Sequence, residues 1–408
     1  MALFSSSLVT QKSPAISSIP QCGACGLHKT CESPKMPVSG KGKMGVLVVS
    51  ESPGDEEDRK NEHFAGPGGQ LLRKTLDRFG VDLDYDCWKT HAVICRTSKG
   101  ESPSNNQIDY CRPNLTNTIR ELKPRVIIPL GGPAVRSLIG PLWKEDVGSI
   151  STWVGWQIPL QRWNCWITPT YNPDYIRKIE ENQKVKEAPA IRVWFDRHLK
   201  KAVRLEGRPW DVVPDFKSQI TILFNPDDVV SWIERVIASG EGAIAFDYET
   251  DRLKPDSDDS EIVCASICWK GVDTIAFPWV GSAIDAMKRL LKTSIPKIGS
   301  NIKFESRWTA RHFGFFPDNF VWDTMLSAHH QDNRGGISSI KFQAFVQLGL
   351  EPWNVNIEEF LKADGTNDPN RIRECDLRQL MEYCGIDSLA EFLVAMKQRK
   401  VLKDGGIP

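Results

Sequence analysis

Apolar runs alternate with amphipathic stretches through the first half of the chain. Gly45–Ser50 (GVLVVS), Thr90–Cys95 (THAVIC), Arg125–Gly131 (RVIIPLG) and Cys165–Tyr171 (CWITPTY) read as strands, separated by helix-like segments such as GQLLRKTLDRFG. That alternation predicts a three-layer α/β domain with a largely parallel sheet. From Ile220 the pattern changes: ITILF, GAIAFDYE, IVCASICW and DTIAFPW are strand-like and are followed by mostly helical patterns. The second half therefore predicts a mixed sheet covered by helices. Between the halves, Val203–Gln219 mixes Gly, Pro and charge without periodicity. The expected division is a disordered tail over 1–19, a domain over 20–203, a linker over 204–219 and a second domain over 220–408, with no repeat at solenoid spacing.

One strand carries charge where apolar residues are expected. In GAIAFDYET the period of two puts Asp247 and Glu249 on one face and Phe246 and Tyr248 on the other. Two like charges that close repel unless a cation holds them. Further on, GSNIKFESRW carries Asn301 and Glu305 after the strand-like PKIG, and MEYCGIDSLAEFLV carries Tyr383 and Asp387 four residues apart, on one helix face. Asp247, Glu249, Glu305 and Asp387 are thus candidates to converge on one cation site. Two divalent ions about 3.5–4 Å apart can activate a water and stabilise the leaving oxygen of a phosphodiester. Oxygen-rich donor sets of this kind select Mg²⁺ or Mn²⁺.

Composition adds three points. No apolar run approaches the roughly 20 residues of a membrane span, and the Ser/Pro-rich start lacks a basic beginning and a long apolar centre. A soluble protein without membrane attachment is expected. Eleven cysteines, with Cys22, Cys25 and Cys31 clustered, suit metal binding in a reducing compartment better than a disulfide framework, so the cytoplasm is the expected location. The net charge of zero hides an asymmetry. Residues 1–205 hold 29 basic against 21 acidic residues, +8, and residues 206–408 hold 23 against 31, −8. A basic half suits nucleic-acid phosphates and an acidic half suits divalent cations. Cys22 and Cys25 form a Cys-x2-Cys, and Cys95 and Cys111 follow much later. Four thiolates can hold zinc or an iron-sulfur cluster, and spacing alone leaves both open. Of the fourteen tryptophans, Trp153, Trp156, Trp163 and Trp166 lie in a strand-like alternation and read as core or sheet surface.

Residues 220–400 resemble the 3′-to-5′ exonuclease domain of family A DNA polymerases, of the DEDD superfamily with a tyrosine in the third motif. Asp247 and Glu249 match its Asp-x-Glu, and Tyr383 and Asp387 its Tyr-x-x-x-Asp. Asn301 and Glu305 stand at its Asn-x-x-x-Asp, with a glutamate one methylene longer than the family's aspartate. The resemblance implies a ribonuclease H-like fold and two Mg²⁺ or Mn²⁺ ions. Asp247 would bridge both ions, Glu249 would ligate and help orient water, Glu305 and Asp387 would hold metal from the other side, and Tyr383 would position the attacking water. Asn301 would lie against the substrate, and Asp323 would cap or orient a helix.

Val46–Leu72 resembles the first motif region of the iron-sulfur, family 4, uracil-DNA glycosylases, and the likeness extends over roughly residues 20–200. It implies a [4Fe-4S] cluster on Cys22, Cys25, Cys95 and Cys111, with Cys31 as an extra, idle thiol. Glu51 matches the acidic first-motif residue and Phe64 the aromatic on which a flipped base stacks. Two positions depart: the uracil-reading Asn is His91, and the His of the His-Pro-Ser motif is Asn172. Both polar contacts to the base change together, so uracil excision is expected to be weak or absent.

The fusion resembles the N-terminal part of certain phage polymerases, which would make the location the host cytoplasm. The expected function is metal-dependent 3′-to-5′ trimming of single-stranded DNA ends in proofreading, replication or repair, with the first domain as a DNA-binding or polymerase-docking module. Only 21 residues follow Asp387, so a separate DNA polymerase polypeptide is the expected partner. Alternatives are a bifunctional repair enzyme with active base excision, a non-catalytic bridging protein of a replisome, and RNA as substrate.

Overall fold

The computed structural model describes residues 19–98, 101–143, 146–182, 184–354, 356–365 and 368–403. Residues 1–18, most of the segment read as a tail, lie outside the described residues. By its contacts the chain forms two compact units: Met1–Gly155 with Cys165–Arg208, and Trp156–Asn164 with Pro209–Pro408. No helix among the described residues is long and apolar enough to cross a membrane.

The strands of the first unit are β1 (Val46–Ser50), β2 (Cys87–His91), β3 (Val126–Pro129) and β5 (Cys165–Ile167); β4 (Ile158–Leu160) falls in the second unit. They run in the order β2-β1-β3-β5 and pair in parallel. Every residue of β1 is buried, as its unbroken VLVVS run requires. The helices are α1 (Cys22–Cys25), α2 (Asp55–Lys60), α3 (Pro67–Asp77), α4 (Asn105–Leu122), α5 (Gly132–Ile139), α6 (Ile150–Trp153), α7 (Pro173–Glu181) and α8 (Ala188–Val203). Leu72, Leu76, Ile176, Phe195 and Leu199 of α3, α7 and α8 join Val46, Val48, Val126 and Ile128 in one core.

Two expectations are corrected. The strand read at Thr90–Cys95 is Cys87–His91, in register with β1 up to Ser50–His91. Beyond it the Ala92 and Val93 amides still donate to the Ser50 and Glu51 carbonyls, but the chain bends and delivers Cys95 to a cysteine cluster. The tryptophan-rich alternation is not one strand: it breaks into the helical turn α6, β4, a 3₁₀ turn and β5. Trp153 is buried, and Trp156, Trp163 and Trp166 are half-buried.

The second unit holds a mixed sheet of β6 (Ile220–Ile222), β7 (Ile244–Thr250), β8 (Ile262–Trp269), β9 (Asp273–Pro278), β10 (Lys297–Gly299) and β11 (Phe320–Asp323), in the order β11-β10-β7-β8-β9-β6. β7-β8 and β8-β9 are antiparallel; the other pairs are parallel. Its helices are α9 (Pro226–Ser239), α10 (Ser282–Leu291), α11 (Lys303–Phe313), α12 (Thr324–Gln331), α13 (Ile340–Leu348) and α14 (Leu377–Lys403). Phe246 and Tyr248 pack into a core with Val229, Ile233, Met287, Leu290 and Trp308 of α9, α10 and α11. Ala245 belongs to a different core, with Ala344 of α13 and Leu389, Phe392 and Val394 of α14. The alternation along β7 therefore turns Asp247 and Glu249 towards α14. That helix lies close on the sheet: the buried Ser266 hydroxyl donates to the Cys384 carbonyl at 2.7 Å, and a Cβ on Gly385 would stand 2.5 Å from the Ile220 side chain.

Candidate functional sites

The acidic site is assembled from β7, α11, α13 and α14. Asp247, Glu249 and Cys384 bring one potential ligand atom each within 4.8 Å of one another, and the Cys384 thiol donates to the Asp247 carboxylate at 3.7 Å. Glu305 enters from the first turn of α11, buried, with Oε2 lacking a hydrogen-bond partner among the described residues. Its helix start is pinned from a distance: Asp323 accepts from the Asn301 amide (3.2 Å), the Ile302 amide (3.1 Å) and the Met325 and Leu326 amides. Asp323 thus caps α12, as expected, and also holds the turn that launches α11. Asn301 occupies that turn with φ +60°, a conformation asparagine tolerates better than most residues.

Two residues that the sequence reading missed complete this cluster. Lys341 of α13 donates to the Tyr383 hydroxyl (2.8 Å) and to Asp387 Oδ1 (3.1 Å). Its partners lie more than forty positions away in sequence, so no local signal connects them. Glu391 lies one turn beyond Asp387 on α14, buried, with Oε2 also lacking a hydrogen-bond partner among the described residues. Its i+4 spacing from Asp387 was legible.

Crowding of carboxylates in a dry site raises their pKa values. Burial, then the Asp387 charge, pushes Asp247 up to about 7. Glu249 is raised well above its usual range by burial and then by Asp247; Glu305 and Glu391 are raised likewise. Burial would lower the Lys341 ammonium, but Asp387, Glu249 and Asp247 outweigh it and hold its pKa up. Such a site is short of positive charge. Converging carboxylates, unpartnered oxygens and a single ammonium fit Mg²⁺ or Mn²⁺ by donor chemistry. A cleft of about 330 Å³ opens beside Glu249, lined by Tyr248, Thr250, Leu253, Phe304 and Leu361 among others.

In the first unit Cys22, Cys25, Cys95 and Cys111 line one small cavity. Donors point at its sulfurs: the Lys35 amide at Cys95 Sγ (3.2 Å), and the Ile94 amide and the Asn114 side chain at Cys111 Sγ (both 3.4 Å). Such N–H donors suit thiolates, yet burial pushes the Cys95 thiol up to about 12 and raises Cys111. A cation cluster that takes the sulfurs as anions would remove that conflict. Among the described residues no three of these thiols lie within 4.8 Å of one another, wider than the roughly 3.8 Å edge that 2.3 Å bonds to tetrahedral zinc impose. Cys31 is outside the cavity lining but is not isolated: it packs with Cys95 and Cys111 and helps raise the Cys95 pKa.

The remaining candidates gather where the parallel strands end, the edge at which open α/β sheets place ligands. Glu51 follows β1, His91 ends β2 and Asn172 opens α7. Asn172 Oδ1 accepts from the Asp174 amide (2.8 Å) as the α7 cap, and its side chain partly offsets the rise that burial gives the Glu51 carboxyl. Burial raises the Glu51 pKa. Gly131, at φ +92°, lets the backbone pass here, because a Cβ would collide with the Glu51 carboxylate. Phe64 is buried at φ +58°, and the His91 ring stacks on it at 5.8 Å and 28°. His63 lies 4.8 Å from His91, and neither His91 nitrogen has a partner among the described residues. Burial holds the His91 pKa well below its usual value, so the ring is neutral.

The chain thus holds two α/β units, one with a carboxylate cluster over a mixed sheet and one with a cysteine-lined cavity beside a parallel sheet. Residues 37–194 match the model of the uracil DNA glycosylase superfamily, and residues 220–402 match that of a 3′-5′ exonuclease. The chain joins a domain of each kind, the second with a ribonuclease H-like fold. A type-4 uracil-DNA glycosylase of Pyrobaculum aerophilum is 38% identical over 121 residues, 30% of this chain and 61% of that protein. A DNA polymerase of Bacillus phage SP01 is 24% identical over 331 residues, 73% of this chain and 34% of the polymerase. The chain thus spans less than two thirds of either relative. Among solved structures, Escherichia coli RNase D, an exoribonuclease involved in structured RNA processing, is similar with a TM-score of 0.37 and 17% identity, over 45% of each chain.

Proposed function

We propose that the chain is a metal-dependent 3′-to-5′ DNA exonuclease acting on single-stranded ends in replication or repair in the cytoplasm, with a separate polymerase as partner. The observation that carries this reading is the close approach of the Asp247 and Glu249 carboxylates on β7, with Asp387 and the Tyr383 hydroxyl joined through Lys341, the Glu305 charge near enough to bear on Asp247, and an open cleft beside Glu249. The four carboxylates would hold Mg²⁺ or Mn²⁺, which when bound supply an activated water and a clamp for the leaving oxygen. Tyr383 accepts a hydrogen bond from Lys341, which fixes its ring and directs its oxygen towards the acids. The cleft beside Glu249 would receive the terminal nucleotide, with Phe304, Leu253 and Leu361 as apolar surfaces for its base. A labelled 3′ end tests this: release of mononucleotides should require Mg²⁺ or Mn²⁺ and vanish in Asp247→Ala. Undiminished trimming by that variant would remove the reading.

For the first unit we propose a DNA-binding or polymerase-docking module carrying a [4Fe-4S] cluster on Cys22, Cys25, Cys95 and Cys111. The cluster would tie the segment around α1 to the start of α4 and so contribute to folding. Base excision is the weaker reading, because the His91 ring lies on the Phe64 face that a flipped base would take, and the Asn172 carbonyl is committed to capping α7.

A further inference from the structure

Of the fourteen tryptophans, Trp194 stands out as exposed, at 38%. It sits on α8 at the end of a continuous ladder of rings. Tyr175, 44% exposed, lies 5.8 Å from Tyr171; Tyr171 lies 6.5 Å from His198; His198 lies 6.0 Å from Trp194. The successive tilts are 31°, 27° and 30°, so the planes follow one another closely. The Arg197 guanidinium covers Trp194 at 4.7 Å. The middle of the ladder is fixed, since His198 Nδ1 hydrogen-bonds the Thr170 hydroxyl at 3.1 Å and a Cβ on Gly155 would press on its ring.

Helical spacing extends the ladder into a charged stripe. Trp194, Arg197, His198 and Lys201 share a face of α8, with Lys200 beside them and Arg204 just beyond the helix. Arg197, Lys200 and Lys201 pair with no carboxylate among the described residues. The core of the unit does not need the exposed rings: α8 packs through Phe195, Leu199, Ala202 and Val203 instead. The ladder passes through Tyr171, the residue before Asn172.

We propose that this ladder is a binding track for single-stranded DNA, bases stacking on the Tyr175 ring at one end and on the Trp194–Arg197 pair at the other, with phosphates along Lys200, Lys201 and Arg204. It rests on reading the first unit as a DNA-binding module. A stacked ring series with open ends and an arginine plane is the geometry that holds unpaired bases without reading their sequence. A duplex would offer it no free base faces, and the basic stripe disfavours a basic partner.

The test uses the full chain with its cluster, in EDTA, and a fluorescently labelled dT oligonucleotide of about 20 nucleotides followed by anisotropy. Tyr175→Ala with Trp194→Ala should weaken binding roughly tenfold or more, and Trp194→Phe should stay near the parent. Lys200→Gln with Lys201→Gln should lower the salt dependence by about 0.7 per lost phosphate contact. With Mg²⁺ restored, trimming of a labelled trinucleotide should be unchanged, because that substrate is too short to use the track. Equal affinity in parent and double variant would overturn the ladder while leaving the module reading in place, provided the parent binds the oligonucleotide more tightly than the trinucleotide. Equal affinity of the parent for both lengths would overturn the module reading itself. A Trp194→Phe variant as weak as the alanine variant, or loss of trinucleotide trimming in the double variant, would also count against the track.

Discussion

Asp247 carries the electrostatic conflict of the acidic site. Its carboxyl ionises near 3.8 in the unfolded chain but is pushed up to about 7 in the fold, by burial and then by Asp387. The folded state therefore holds a proton the unfolded state has lost, and this group lowers stability progressively as pH rises from about 4 to about 7. Asp247→Asn should remove that loss, so its metal-free melting temperature should exceed the parent's at pH 8 and match it more closely at pH 5, while trimming falls by several orders of magnitude. A variant less stable than the parent at pH 8 would show that the acids are not in conflict. Metal affinity should rise with pH through about 7, because ligation displaces protons; calorimetry in buffers of different ionisation enthalpy would detect their release. Lys341→Met leaves the carboxylates but frees the Tyr383 hydroxyl, and should cost about 10–100-fold in trimming or metal affinity. Glu305→Asp, which restores the shorter side chain usual in the second motif, should retain Mg²⁺-dependent trimming.

At the scale of elements, two aspartates, Asp58 buried and Asp323 half-buried, act as pins between segments distant in sequence. Asp58 of α2 accepts from the Glu32 and Ser33 amides (3.0 and 2.7 Å) and from Arg96 Nε (2.8 Å). It thereby ties the loop after Cys31 to the residue following Cys95. Burial alone would raise its pKa, but these donors win and hold it below its usual value. The stabilisation is present above pH 3.8 and is lost as pH falls below it towards the depressed folded value. Asp58→Ala should destabilise the first unit by about 3 kcal/mol near neutral pH, since Arg96 and two amides lose their acceptor; chemical denaturation of parent and variant near neutral pH measures it. Asp323 is the matching pin in the second unit. Asp323→Ala should cost about 2 kcal/mol through the lost α12 cap and weaken metal binding, because the turn that launches α11 and Glu305 loses its anchor.

At the scale of the molecule, the two units carry separate chemistries that substitutions should separate. Cys111→Ser should lose iron and destabilise the first unit, yet leave Mg²⁺-dependent trimming of a trinucleotide intact; elemental analysis beside the nuclease assay reads both. Stoichiometric zinc without iron would replace the cluster assignment. His91→Asn combined with Asn172→His should raise uracil release above the parent's, at a cost of about 1 kcal/mol for the lost α7 cap. Efficient uracil release by the parent would mean that the His91 ring moves off Phe64 when DNA binds.

Local periodicity alone determined the shared face of Asp247 and Glu249, the one-turn spacing of Tyr383 and Asp387 and the alternation of strands and helices. Each depends on residues a few positions apart, whose geometry the backbone repeat sets. The bend that ends β2 at His91 was not legible, because the apolar run through Val93 and Ile94 continues the strand pattern while the fold turns Cys95 away. Nor were the arrival of Lys341 between Tyr383 and Asp387, the contact of Cys31 with Cys95, the stacking of His91 on Phe64, or the exposure of Trp194. These depend on which distant element fills the space beside a given side chain. Packing across the sheet decides that, and local spacing carries no record of it.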